Sequence, residues 1–432
     1  MKRKTMNNLL VWKNEKPRKP LLLKGVRQVG KTHLLKTFGE KHFPHFHYFN
    51  FEKEPQLAKI FEEDLDPKRI LTELSFHLDT PIQVGKDLVI FDEIQECPKA
   101  LTSLKYFQED CADLHLCGAG SLLGLHLNSG SFPVGKVTFE TLHPLTFEEF
   151  LWATKSKSIP YYQDPLQISQ LVHEHLWKEL KHYFIIGGLP EAISIFCKYQ
   201  DDLFEAFQKV RKKQKDLLKS YYADIAKHSG KVNAMHIDRV FCSIPTQMSG
   251  VHDGSISRYK FRGVVPGITH YNRLANAIDW LEATGLAIKV PIINSAQLPF
   301  KAYTKENTFK LLLFDVGILG SMVDLPPKTL LDADYGSYKG YFAENFVAQE
   351  LLSGDRENLY CWQEKKAEVE FILEVDGEVI PVEVKAGNNL KAKSLQIFDQ
   401  KYHPKKKIIF GGSAPDRRGK TSFLPLYLAG TS

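Results

Sequence analysis

Hydrophobic positions along the first 150 residues come in short runs separated by longer polar stretches. The runs are Leu21–Leu23, His47–Phe51, Leu88–Phe91 and Leu114–Cys117, and each interval is long enough for a crossover helix. Apolar runs without alternation mark strands covered on both faces, as in a parallel sheet. The pattern predicts an α/β domain over residues 1–150. From about 145 to 225 it turns helical. Leu171, His175 and Lys178 lie near amphipathic spacing, and Asp202–Tyr222, free of Gly and Pro, reads as a long charged helix. A Gly-Gly-Leu-Pro break at 187–190 interrupts that stretch.

Between about 230 and 325 the periodicity changes again. Pro266-Gly267 precedes Thr269, then come Leu274, Ile278 and Leu281 at helical spacing, a Gly285 stop and the strand-like LAIKVPII. Helix, stop and strands in that order form the pattern of a winged helix. The last stretch opens at Pro326-Pro327 and carries a helix over Tyr341–Leu352. Two strand candidates follow, Val369–Val375 and Val379–Val384, with Asp376-Gly377 between them as a tight-hairpin signal.

Composition adds bounds. At roughly 150 residues per domain, 432 residues imply about three domains. Lys plus Arg number 57 against 51 Asp plus Glu, and a net charge of +6 is too small to point to nucleic acid by itself. Two local basic clusters, Lys209–Lys215 and Lys405–Lys407, leave non-specific contact with DNA open. The six cysteines are scattered without a C-x-x-C pair, which argues against a zinc ribbon or a disulfide scaffold. No apolar run approaches the roughly 18–20 residues that span a bilayer, and MKRKTMNN at the N-terminus lacks the apolar core of a secretory signal. The expectation is a cytoplasmic globular protein with reduced thiols and no membrane partner.

The strongest chemical signal is Gly25-Val-Arg-Gln-Val-Gly30-Lys31-Thr32, which fits G-x-x-x-x-G-K-[ST] between a strand-like LLLK and a helix-like HLLKTFGEK. Such a loop turns successive N–H groups toward phosphate oxygens, its Lys reaches the β/γ-phosphates, and its Thr hydroxyl binds Mg²⁺. Gly25, Arg27, Gln28, Val29, Gly30, Lys31, Thr32 and His33 are the expected ATP contacts. Leu88–Phe91 ends in Asp92-Glu93, which brings two carboxylates to the ligand-binding edge of an open α/β sheet. Asp92, with Thr32, is expected to hold Mg²⁺, and Glu93 to act as general base toward the attacking water. Ser121, after the next strand, is a candidate γ-phosphate sensor, with a plain turn residue as the equal alternative. Lys136 and Arg27 are candidates for the cation that hydrolysis requires.

Taken in order, GVRQVGKTHLL, LVIFDEIQECP, the GxGSLL turn (118–123), HPLTFEEFL, GGLPEAI, LLLFDVGIL, GYFAENFVAQEL and PVEVKAG run over nearly the whole chain. The sequence resembles the prokaryotic AAA-type ATPases that pair a G-x-R-Q-V-G-K-T loop with a C-terminal domain of unknown function. That resemblance implies a P-loop ATPase core (1–150), a helical lid (151–228), a winged-helix segment (229–325) and a C-terminal α/β domain like the PD-(D/E)-x-K nucleases (326–432). Four positions depart from the family. Lys136 stands where Arg is usual and lacks its bidentate fork. Ala119 and Gly120 stand where small hydroxyl residues are usual. Glu370 stands where nuclease-like members carry Asp.

In the C-terminal stretch, Glu383 and Lys385 share a strand face, a hairpin partner can bring Glu370 beside them, and Glu344 can join from the preceding helix. Two acids and a Lys suit metal-dependent phosphodiester cleavage, yet E-x-E and E-x-K are equally typical of a solvated strand with cross-strand charge pairs. The face that would read DNA in the winged-helix segment is Asn272, Arg273, Asn276, Asp279 and Glu282, with a single basic residue. The expectation is therefore a Mg²⁺-dependent ATPase whose nucleotide state rearranges the winged-helix and C-terminal regions. The alternatives are an ATP-gated metal-dependent DNA nuclease and a non-catalytic ATP-switched binder of DNA or protein. Self-assembly, which could supply an arginine finger, stays open.

Overall fold

A computed structural model describes the chain except residues 122, 127–134, 166–167, 229, 249–256, 333–337, 355, 386–392 and 432. Leu122 of the GxGSLL turn and Ala386-Gly387 of PVEVKAG lie outside the described residues. The chain forms two compact units, Lys2–His143 and Pro144–Ser432. The segments expected as lid, winged helix and nuclease-like domain all fall in the second unit beyond residue 150.

The first unit is a parallel sheet of β1 (Leu21–Lys24), β2 (Phe46–Asn50), β3 (Leu88–Asp92), β4 (His115–Ala119) and β5 (Thr138–Thr141), ordered β2-β3-β4-β1-β5. β3 lies between two neighbours and is buried at every position, which is why Leu88–Phe91 is uninterruptedly apolar before Asp92. Phe91 anchors the core, with edge-on contacts to Phe49, Phe51, Phe61 and Phe107. β5 is the edge strand and is only partly buried, so its TFET sequence carries no apolar run and the hydrophobic pattern passes it over. The helix Thr5–Asn14 is missed for a similar reason: only Leu9 and Trp12 are buried.

The second unit holds a mixed eight-stranded sheet of β6 (Ala287–Ile293), β7 (Phe309–Leu313), β8 (Tyr360–Glu364), β9 (Ala367–Val375), β10 (Glu378–Val384), β11 (Lys407–Gly411), β12 (Asp416–Arg418) and β13 (Thr421–Pro425). Its order is β12-β13-β11-β10-β9-β8-β6-β7. The expected hairpin is present as β9–β10, and Asp376 and Gly377 both take positive φ (53° and 76°), as a type I′ turn requires. Leu274, Ile278 and Leu281 all point into the core of this unit.

One helical face is corrected. In the helix Gln170–Ile186 the buried residues include His173, Leu176, Leu180 and Tyr183, whereas Leu171 is 78% exposed and Lys178 faces solvent. The spacing of Leu171, His175 and Lys178 is right for a helix but traces its outer side, because two of the three are polar and fit the water-facing stripe as well.

Four of the motif segments meet at a buried polar junction inside this unit. Asp315 caps the helix Val316–Met322 by accepting from the Ile318 N–H (2.9 Å) and also accepts from the Gly188 N–H (2.6 Å). Gly187 has φ 75°, and a Cβ there would lie 2.2 Å from an Asp315 carboxylate oxygen, so only glycine fits. The Leu145 N–H donates to the Gly188 carbonyl (2.7 Å), Glu350 accepts from the Phe147 N–H (2.8 Å), and Gln349 donates to the Tyr183 hydroxyl (2.6 Å). HPLTFEEFL, GGLPEAI, LLLFDVGIL and GYFAENFVAQEL thus have an architectural explanation: each satisfies the buried polar groups of another.

Candidate functional site

The loop between β1 and the helix Lys31–His42 is built on unusual backbone. Gly25, Gln28 and Gly30 have φ of 148°, 64° and 102°. A Cβ on Gly25 would meet the Leu142 carbonyl oxygen at 2.3 Å, so the loop can pass the end of β5 only as glycine. Val29 is buried and can offer a ligand only its backbone, while Gln28 and His33 are exposed and Arg27 is half-buried. Arg3 braces the loop from behind, donating to the Val29 carbonyl (3.2 Å) and to the carbonyl of His143.

Lys31 is 6% exposed, and its ammonium donates to the carbonyls of Gly25 (2.8 Å) and Val26 (3.1 Å). Burial pulls its pKa down to about 8, only partly offset by Glu93 and Asp92 and worsened by Arg27. A buried ammonium held by carbonyls alone is short of negative charge. The Thr32 hydroxyl donates to Asp92 Oδ2 at 2.8 Å, while Asp92 Oδ1 is buried with no hydrogen-bond partner. A glycine cradle, a charge-deficient lysine, a hydroxyl–carboxylate pair and an unsatisfied carboxylate oxygen fit a Mg²⁺-bound polyphosphate.

Asp92 has partners that sequence reasoning missed. Tyr48 donates to Asp92 Oδ2 at 2.6 Å, and Asn50 donates to the Tyr48 hydroxyl (3.0 Å) and more weakly to Asp92 Oδ2 (3.4 Å). Both sit on β2, whose register sets Asn50 opposite Asp92. The alternation of β2 was the available signal: Tyr48 and Asn50 share one face of the strand.

Glu93 follows β3 with φ 49°, a left-handed conformation uncommon for a non-glycine residue. Its carboxylate accepts from Gln95 Nε2 at 2.7 Å, and burial pushes its pKa above the ordinary carboxylate value. Gln95 Oε1 is buried without a partner, and a Cβ on Gly120 would lie 2.0 Å from it. A side chain at position 120 would therefore push the Gln95 amide from its present place. Asp92 pairs in register with Ala119, so Glu93 and the Gly120-Ser121 turn leave the sheet at the same edge. Lys136 instead forms an ion pair with Glu109 at 3.0 Å.

The C-terminal residues also come together. Glu344, Glu370, Glu383 and Lys385 interact electrostatically at one end of β9 and β10. Lys385 pairs with Glu383 at 2.6 Å, and Glu370 accepts from the Val384 N–H at 3.1 Å. Sequence reasoning missed the fifth member. Lys310 of β7 is fully buried, and its ammonium lies 2.6 Å from both Glu344 and Glu368.

Within the basic clusters, several side chains have partners in the protein itself. Lys209, Lys213 and Lys215 pair with Glu205, Glu191 and Asp324, while Arg211 turns inward to the carbonyls of Gly317 and Leu325. Lys405 and Lys407 pair with Glu378 and Asp399. On the helix Ala275–Ala283, Asp279 and Glu282 flank Lys289 of β6 at 3.6 and 3.5 Å.

The first unit has the fold and loop of a P-loop nucleotide-binding domain. Residues 17–151 match the family model of an AAA domain, which makes the first unit AAA-type. Residues 178–329 and 339–428 match the models of two domains of unknown function (DUF8612 and DUF4143). An uncharacterized protein of Methanocaldococcus jannaschii is 24% identical over 394 residues, covering 89% of this chain and 79% of its own length. The Walker-type ATPase of Pyrococcus abyssi is similar over 74% of this chain and 95% of its own, with 16% identity and a TM-score of 0.49. The Orc1 protein of Aeropyrum pernix, solved in complex with DNA, is similar over 77% of this chain and 92% of its own, with 14% identity and a TM-score of 0.31. Among the described residues no helix is long and apolar enough to cross a membrane.

Proposed function

We propose that the chain is a Mg²⁺-dependent ATPase acting at the Lys31–Asp92–Glu93 edge. The observation that carries this reading is the complementary deficit at the loop: a buried ammonium short of anions beside a carboxylate oxygen short of a cation. The loop N–H groups and Lys31 bind the phosphates, and Thr32 with Asp92 would hold Mg²⁺. The metal supplies charge neutralisation for the transferred phosphoryl group. Tyr48 and Asn50 orient Asp92. Glu93 takes a proton from the attacking water, and Gln95 positions it. Ser121 contacts the γ-phosphate.

Nucleotide state is read by the rest of the chain through its connection at residue 143. Arg3 supports this route, because it joins the loop carbonyl of Val29 to that of His143, the last residue of the first unit. Loop movement on binding would be felt at the exit strand, and through it by the second unit, whose segment 229–325 we read as a winged helix. Steady-state phosphate release from wild type and Glu93→Gln tests the hydrolysis. Equal rates in the two would remove it.

A further inference from the structure

A metal-dependent phosphodiesterase needs carboxylates with room for a cation between them. Here an ammonium stands between two of the carboxylates. Lys310 reaches in from β7 with no solvent exposure, and its ammonium stands 2.6 Å from Glu344 on one side and 2.6 Å from Glu368 on the other. Lys385 neutralises Glu383 at 2.6 Å, and Glu370 receives the Val384 N–H. Among the described residues no group of three or more His, Cys, Asp or Glu is disposed to hold a metal ion.

We propose that Lys310 is a built-in counter-ion standing where a divalent metal would be needed, so that the carboxylate cluster of the C-terminal domain is closed to metal in the wild-type protein. The charges support it. Burial, Glu383 and Glu344 push the Glu370 carboxyl well above its ordinary range, which keeps it protonated and leaves three carboxylates against the two ammoniums of Lys310 and Lys385. Burial disfavours the Lys310 ammonium. Cys361 lies beside it, but its own burial keeps the thiol neutral, so the pull against burial comes from the Glu344 and Glu368 carboxylates, each 2.6 Å away. A divalent ion entering the cluster would have to displace an ammonium that is fully buried. Lys310 also has a building role: it ties β7 to the helix Tyr338–Leu352 through Glu344 and to β9 through Glu368.

The test is Mn²⁺ binding by the full chain without nucleotide, followed by electron paramagnetic resonance. Wild type is expected to show no Mn²⁺ site that Glu383→Gln removes. Folded Lys310→Met is expected to gain one site per chain, at least roughly tenfold tighter than any wild-type binding, with a thermal midpoint that rises on Mn²⁺ addition. A wild-type site abolished by Glu383→Gln would overturn the proposal, and so would folded Lys310→Met that gains nothing. If Lys310→Met does not fold, plasmid nicking by wild type decides: Mn²⁺-dependent nicking lost in Lys385→Ala overturns the proposal, and its absence upholds it.

Discussion

Two buried lysines face carboxylates in this protein, and their surroundings are opposite. Lys31 rests on carbonyl oxygens and is pulled down to about 8. Lys310 sits between two carboxylates and is pushed well above the ordinary lysine range. Burial disfavours both ammoniums equally in kind, so the difference lies in where the compensating anions come from. At Lys310 the chain supplies them, with Glu344 and Glu368 each 2.6 Å from the ammonium. At Lys31 it does not, and in the proposed function a phosphate supplies the missing charge. Motifs of acid and lysine look alike in sequence; the balance of charge around the lysine separates a site awaiting a ligand from one already closed.

Substitutions can break or sharpen that contrast. The largest effect is expected from Lys31→Ala, which should abolish binding of a fluorescent ATP analogue; unchanged binding would erase the distinction. Glu93→Gln should keep that binding while phosphate release falls by about 10²–10⁴-fold. At the other lysine, Lys310→Met removes one partner of a buried ion cluster and should cost about 3–5 kcal/mol in urea denaturation, with ATP binding retained. Lys310→Arg, which keeps the charge, should lose clearly less. A loss within error of zero for the Met variant would mean the cluster is not held by its cation.

Smaller effects probe the base and the proton on Lys31. Gln95→Leu should lower turnover by roughly tenfold with KM little changed. The hydrogen bond from Gln95 holds the Glu93 pKa down against burial, so its removal should also move the acid limb of the pH–rate profile upward. An unmoved acid limb would reduce Gln95 to a packing residue. Finally, phosphate charge beside Lys31 favours its protonated form. At pH 8 the free protein holds about half a proton there, so ATP binding should take up about half a proton, falling toward zero at pH 6.5 where the amine is already charged. Calorimetry in buffers of differing ionisation enthalpy measures this, and equal uptake at both pH values would assign the proton elsewhere.

The sequence made the centre of each sheet legible better than its margins. β1, β3 and β4 are covered on both faces and announce themselves as apolar runs, whereas β5, β12 and β13 are too exposed to do so. The phosphate loop was readable because its geometry demands particular residues at fixed offsets. Tyr48, Asn50 and Gln95 were not: alternation puts Tyr48 and Asn50 on one face of β2, but only strand register sets that face beside Asp92. Lys310 was the least visible of all. KLLL reads as an ordinary strand, and its lysine acquires meaning only from carboxylates that arrive 34 and 58 residues later in the chain.

The pairing of β6 with β8 bears on how this chain can be divided. Ile292 and Ile293 pair in parallel with Cys361 and Trp362, so one sheet crosses the gap between the sequence families matched at 178–329 and 339–428. A fragment cut between them would leave β8 with a bare edge and Glu344 and Glu368 without Lys310. Exposed strand edges recruit other strands, so such a fragment should aggregate rather than fold. The boundary between the two matched families therefore runs through a single sheet.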